Sequence, residues 1–372
     1  MKRKPKQIPL LVTTAFFCLA GYFGMTVMID SFDEYAGPLM PVVTIVGVLF
    51  FVYFAQFVQI IVHEAGHLAG GLLSGYHFVS FRIARIMIKK ENDQLKLKRY
   101  SLPGTAGQCL MAPPAGDMDN FPYFLYNIGG AAANLIFGVL CFILYLIFRN
   151  VPFLSSFFVI TFIIGLLFAF LNGIPMKING IANDGANISA LRSDPFAMRA
   201  LGLQLRVNAL LSAGTRIRDM PREWFDLPDT ADLDNPLICA VGFLQCGYLH
   251  DMQKFDEAKR MSEFMIEKAP GTLSIYKNEL QCELLFYEII GECRRDEIDK
   301  LYTQELQKYI KATNLHVSKK RLLYAYELFV NHDPETAAKV LAAFKKTAKS
   351  YPYPAEIEAE RELIAIIRPT GG

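Results

Sequence analysis

Four stretches of the chain, residues 8–29, 39–62, 124–148 and 153–174, run apolar without a single Lys or Arg inside them. About 20 such residues cross a bilayer as a helix. A helix lying on a water-soluble core alternates an apolar stripe with a polar face. These runs are apolar all round, so the pattern predicts four transmembrane helices. Between the second and third runs the period changes. Val79, Phe81 and Ile83, and later Leu95 and Leu97, alternate with polar residues, which is the mark of strands. Glu91-Asn-Asp93 offers a turn, so residues 76–99 predict a short β-hairpin inserted between spans. Residues 101–119 are rich in Gly and Pro and read as irregular.

From Pro195 onward the pattern is helical and polar. Phe255-Asp-Glu-Ala258, leading into Met261, Phe264, Met265 and Pro270, resembles one tetratricopeptide-type helix pair, and residues 334–352 resemble part of a second. No clean repeat period runs through them, so two descriptions stand: tetratricopeptide-like, or an ordinary helical domain. The expected architecture is a multi-pass α-helical membrane protein carrying a short β-hairpin insertion, residues 1–192, followed by a soluble all-α domain, residues 193–372.

Composition sharpens this division. Hydrophobic residues make up 52% of the 372 residues. They crowd the first half, and charged residues dominate after about Arg192. The formal net charge of +2 offers no electrostatic footprint for nucleic acid. The seven cysteines show no paired spacing, which points to reduced thiols. The basic start Lys2, Arg3, Lys4 and Lys6, followed by an apolar run with no Ala-x-Ala site, reads as an uncleaved anchor.

Basic residues in short loops set the expected topology. Lys2 to Lys6 hold the N-terminus inside, and Asp30, Asp33 and Glu34 mark an outer loop. Arg82, Arg85, Lys89, Lys90, Lys96, Lys98 and Arg99 return the chain to the inside, and residues 149–152 form a short outer turn. Both termini are then cytoplasmic in a cell-membrane protein.

His63-Glu64-Ala65-Gly66-His67 closes the second apolar run. Positions i and i+4 share one helix face, so both imidazoles can bind one Zn²⁺. Glu64 lies where a carboxylate can take a proton from a water that such a metal polarises. Ionisable groups in or beside a span are costly unless they serve a function. A catalytic zinc takes a third protein ligand, for which His77, Asp117, Asp119 and Asp184 are candidates. His77 follows Ser74-Gly75 and is expected to have left the helix. The topology puts Asp184, just beyond the fourth run, at the same side as the end of the second, and so favours it.

Together these residues resemble the site-2 protease family of intramembrane zinc metalloproteases. The resemblance rests on His63, Glu64 and His67, on Asn172-Gly-Ile-Pro175 with Asp184-Gly185, and on Gly129-Gly130-Ala-Ala-Ala-Asn134. It covers roughly residues 40–190. The segment from Pro175 to Asp184 is longer than the family's usual spacing. The resemblance implies that His63, His67 and Asp184 bind zinc and that Glu64 activates water. It also implies that Asn134 and Asn172 bond the oxyanion or the substrate strand, with helix–helix hydrogen bonding as the alternative for each.

The implied substrate is a membrane protein or membrane-bound peptide, unwound locally and paired with the hairpin by strand addition. Other partners are the lipid bilayer and a protein bound by the C-terminal domain. The rival class is a catalytically silent membrane adaptor working through that domain. A transporter is disfavoured by the lack of an internal pseudo-repeat among the four spans.

Overall fold

The computed structural model describes residues 7–30, 39–91, 93–101, 105–178 and 181–367. The basic start, the acidic residues Asp33 and Glu34, and Asn92 of the expected turn lie outside the described residues.

In chain order the elements begin with α1 (Gln7–Asp30) and α2 (Met40–Leu73). Four strands follow: β1 (His77–Ile83), β2 (Ile86–Glu91), β3 (Gln94–Arg99) and β4 (Gly107–Ala112). Next come α3 (Tyr123–Ile147), α4 (Pro152–Gly173), the two-residue strands β5 (Lys177–Ile178) and β6 (Ile181–Ala182), and α5 (Asp184–Ser193). The remainder is helical: α6 (Pro195–Ala213), α7 (Pro236–Asp251), α8 (Phe255–Glu267), α9 (Ser274–Ile290), α10 (Arg295–Leu301), α11 (Gln304–Ala312), α12 (Val317–Phe329), α13 (Pro334–Ala348) and α14 (Pro354–Ile367).

Packing divides the chain into two compact units, and not at a single point. One unit holds residues up to His77 together with Pro122–Ser193; the other holds Phe78–Phe121 together with Asp194–Gly372. The sheet, expected within the 1–192 domain, therefore packs with the C-terminal helices.

In the first unit, four helices are long and apolar enough to cross a membrane. The expected second run ended at residue 62, but α2 continues unbroken through the histidines to Leu73. At 1.5 Å per residue it is about 50 Å long, against a hydrocarbon core about 30 Å thick. It stops where Gly75, at φ 80°, turns the chain over and Tyr76 N–H bonds back to the Gly71 carbonyl. The bundle's own core is small, built from residues such as Ala20, Val48, Ala55, Ile160 and Ile164. Large apolar side chains such as Tyr53, Phe50 and Ile136 face outward. In water that outer surface would be strongly unfavourable, and in lipid it costs nothing.

In the second unit the sheet has the order β3-β2-β1-β4. Instead of one hairpin there are two, turning at Ala84 (φ 51°) and Asp93 (φ 59°). Residues 107–112, expected to be irregular, form β4. Gly107 opens the strand and Pro113, Pro114 and Gly116 follow it, while Cys109, Leu110 and Met111 within it are buried.

The sheet's two faces are reversed relative to a sheet in water. Registers Phe81↔Ile88 and Ile88↔Leu97 put those residues on one face, and there Ile88, Leu95 and Leu97 are exposed. Ser80, Arg82, Met87 and Lys89 share the other face and are buried. Polar burial is tolerated because partners are waiting. Lys89 donates to the Pro352 carbonyl, His316 bonds the Ser101 carbonyl at 2.8 Å, and Tyr100 stacks on His316 with ring centroids 4.9 Å apart. Tyr351 and Tyr353 complete this aromatic cluster edge-on.

The helices pack in consecutive pairs, α7 on α8 and α12 on α13. Of the stretches singled out in the sequence, residues 255–270 hold one helix of the first pair, α8, and residues 334–352 one helix of the second, α13. Their core runs through Leu285, Phe286, Leu322, Phe344 and Ile364. Arg321, wholly buried, joins Glu283 and Glu360 at 2.7 Å each and lies over the Phe286 ring.

Burial, with Glu360 and Glu279 adding to it, pushes the Glu356 carboxyl up to about 7, against a hydrogen bond from Tyr351 that lowers it. In the unfolded chain the same group titrates near its ordinary 4.5. Its contribution to stability is therefore fully present below the unfolded value and is lost as pH rises toward the folded one. Glu356→Gln cannot ionise, so it is expected to flatten the pH dependence of stability between about 5 and 7 and to raise the melting midpoint at pH 8. Circular dichroism melts at the two ends of that range check this, and an unchanged pH dependence would contradict it.

Candidate metal centre

His63 and His67 stand one turn apart on α2, and their side chains are pushed together by the way α2 meets α3. At Gly66 and Gly129 the two backbones touch: a Cβ on either residue would collide with the other's carbonyl oxygen. One residue along, a Cβ at Gly130 would stand 2.5 Å from the His63 ring. Glycine here thus serves twice, letting the helices approach at Gly129 and clearing space for an imidazole at Gly130.

Each ring is held from behind. His63 Nδ1 bonds Asn134 Oδ1 at 2.8 Å, and His67 Nδ1 donates to the Tyr126 carbonyl at 2.7 Å. With Nδ1 engaged as donor, the Nε2 lone pair is free to bind a metal, the usual outer-shell arrangement for a ligating histidine. The two Nε2 atoms lie 3.0 Å apart.

The third group arrives from α5. Asp184 Oδ2 sits 3.2 Å from His63 Nε2 and 3.4 Å from His67 Nε2. Ligands about 2.05 Å from one tetrahedral ion stand roughly 3.3 Å from each other. Asp184 Oδ2 is buried, and no hydrogen-bond donor is aligned on it among the described residues. Two neutral nitrogens and an anionic oxygen that lacks a donor form a set that suits a divalent cation. Burial raises the Asp184 carboxyl, but a proton carried by the adjoining imidazoles on the side facing it outweighs burial and holds it at about 2. It is an anion at neutral pH, as a ligand must be.

Local chemistry explains why Asp184 points there. Asn183 donates to the carbonyls of Leu171 and Ile174 at 2.6 Å each, and its Oδ1 accepts from Met176 N–H at 3.1 Å and Ala186 N–H at 2.8 Å. It therefore caps α5 and fastens it to the end of α4. Asn183, and not Asp184, is the residue whose side chain accepts from the first turn of α5. Gly185 completes the fit, since a Cβ there would meet the Gly173 carbonyl oxygen.

The other residues singled out in the sequence fall as follows. Glu64 is buried on α2, between the two histidines in sequence. His77 opens β1 and is exposed. Asp119 pairs with Arg199 at 3.2 Å, and Asp117 accepts from Asp119 N–H. Among the described residues, the one group of three or more side chains arranged to hold a metal is His63, His67 and Asp184. Asn134 stands behind a histidine, and Asn172 turns its amide nitrogen back onto Phe168 of its own helix at 3.0 Å.

Sequence reasoning missed Asn183 and Gln59. The second is fully buried one turn before His63 and bonds Asn134. An Asn preceding Asp-Gly at a helix start, and a Gln inside an apolar run on the face of a motif histidine, were the available signals. Compared with family models, with curated proteins and with solved structures, the chain matches none.

Ligand and cap make different demands, and the two neighbours separate them. Asp184→Ala is expected to lower metal affinity by orders of magnitude, whereas Asn183→Ala costs about 1 kcal/mol of stability and keeps the metal. Asp117→Ala and Asp119→Ala serve as controls that retain it. Elemental analysis of the four purified variants is the check, and full occupancy in Asp184→Ala would remove it from the ligand set.

Proposed function

We propose that this protein is an intramembrane zinc metalloendopeptidase of the site-2 type, hydrolysing peptide bonds in or near transmembrane segments of membrane proteins or membrane-bound peptides. The observation that carries this reading is the convergence of His63 Nε2, His67 Nε2 and Asp184 Oδ2 within the apolar bundle, with a glutamate next to the first histidine. Two histidines and a carboxylate are a common catalytic zinc set, which leaves a position open for water or substrate.

His63, His67 and Asp184 would hold the zinc, which when bound would supply Lewis acidity toward a carbonyl and an attacking water. The chain's own groups do the rest. Glu64 takes the proton from that water and hands it to the leaving amine, so one carboxylate serves as base and then as acid. Asn134 and the Tyr126 carbonyl hold the two rings in a ligating orientation. In this reading Asn134 acts behind His63 and not on substrate, and Asn172 is the remaining candidate for the oxyanion. A substrate helix must unwind before its backbone can be attacked. In this proposal the strand so released adds to the sheet, whose outermost strands are β3 and β4.

The same proposal covers location. The chain is read as a cell-membrane protein with both termini cytoplasmic, and its C-terminal helices as the part that binds a protein partner.

Glu64→Gln is expected to keep the bound metal and the fold while lowering cleavage of a co-expressed membrane reporter by about 10²-fold or more. Immunoblotting for a stabilised substrate, beside metal analysis of the same preparation, reads both. Wild-type turnover in this variant sinks the role of Glu64. For topology, a cysteine introduced near Asp33 should react with an impermeant thiol reagent in intact cells, and one near Glu356 should not. Labelling at Glu356 would overturn the proposed orientation.

A further inference from the structure

Resting on the reading of His63 as a metal ligand, we propose that Gln59 is a positioning residue that sets which nitrogen of His63 faces the metal. One group in the bundle has a polarity beyond choice, the backbone carbonyl of Thr161 on α4. That oxygen can only accept, and the Gln59 side chain lies 3.0 Å from it. The atom facing Thr161 must therefore be Nε2, which turns Oε1 of Gln59 toward α3. There Asn134 meets two acceptors at once, the Gln59 Oε1 at 2.7 Å and the Gln59 backbone carbonyl at 2.7 Å. Only an NH₂ group satisfies both, so Nδ2 of Asn134 points at Gln59 and Oδ1 points at His63.

Side-chain amides are ordinarily ambiguous in this respect. Here a flipped Asn134 would set an oxygen against two oxygens. With Oδ1 of Asn134 2.8 Å from His63 Nδ1, the ring must carry its proton on Nδ1. Nε2 is left with its lone pair directed at the space shared with His67 and Asp184. The direction of each bond thus follows from the one before it, passing from α4 to α2 to α3 and back to α2.

The surroundings are built for this chain of bonds. Gln59, Asn134 and Thr161 are all 0% exposed, so no water competes for their bonds. A Cβ at Gly165 would stand 2.6 Å from Gln59 Nε2, so the glycine leaves room for the amide. A glutamine that only tied α2 to α4 would need the Thr161 bond alone. The double capture of Asn134 is what a positioning role requires.

The test uses the purified full-length protein, with zinc affinity read by chelator competition and ligand geometry by the visible spectrum of the cobalt(II)-substituted form. Gln59→Met keeps the side chain's length and removes both polar ends. It is expected to weaken zinc binding by about 10- to 100-fold and to shift the cobalt bands. Gln59→Glu is expected to restore binding to within about threefold of wild type. A carboxyl kept neutral in the apolar span offers the same C=O to Asn134 and an O–H to Thr161. Asp184→Ala gives the spectrum of a broken site.

Wild-type affinity and spectrum in Gln59→Met would overturn the assignment, as would a Gln59→Glu protein no better than Gln59→Met. A wild-type chain that binds neither metal would overturn both this assignment and the metalloprotease reading. If Gln59→Met loses metal while Glu64→Gln still cleaves, the protease mechanism falls and the positioning role stands.

Discussion

Inside a bundle whose outer surface is apolar all round, water cannot complete a hydrogen bond, so polar side chains depend on partners within the protein. Leaving an amide or imidazole unpartnered there costs several kcal/mol. That constraint explains why the polar side chains of this bundle form connected sets. Gln59, Asn134 and His63 satisfy one another and end on a backbone carbonyl, while His67 ends on another. Once both rings have their Nδ1 atoms engaged, Nε2 of each has nowhere to point but toward Asp184. The geometry suited to a metal follows from hydrogen-bond bookkeeping across three helices.

Such networks need close backbones, and glycine supplies them. The contact at Gly66 and Gly129 brings α2 against α3 at the level of the histidines, and Gly185 brings α5 under the end of α4. Each contact acts on a ligand or on the residue next to one. Small residues that look like generic helix packing therefore decide where His63, His67 and Asp184 can stand.

The second unit obeys the same rule in another setting. Its sheet buries Arg82 and Lys89 and exposes Ile88, Leu95 and Leu97, the reverse of what water favours for a free sheet. The buried face is stabilised by carbonyls and aromatic rings from residues far along the chain, among them Pro352, Tyr353 and His316. Arg321 is likewise buried only because Glu283 and Glu360 flank it. Removing both carboxylates would leave the Arg321 charge buried without compensation, which is far worse than never having buried it.

Much was legible in the sequence because it depends on neighbours along the chain. Uninterrupted apolar runs announce the four long helices. The i, i+4 histidines announce a shared face, and alternation announces the strands. The period-two signal reached β1 and β3 but left β2 unread, and it missed β4 because Cys109, Leu110 and Met111 form a short buried run with no alternation to read. Candidate ligands could be named and Asp184 favoured among them, yet the different parts played by Asn134, Asn172, Asn183 and Gln59 could not. Those four residues are chemically alike. What separates them is which backbone carbonyl or ring nitrogen lies within 3 Å, and that depends on residues up to 102 positions distant. The sequence by itself determined which segments are apolar and which residues carry chemistry. The tertiary structure alone decided which polar group faces which, because a hydrogen bond is set by distance and direction in space and leaves no period in the chain.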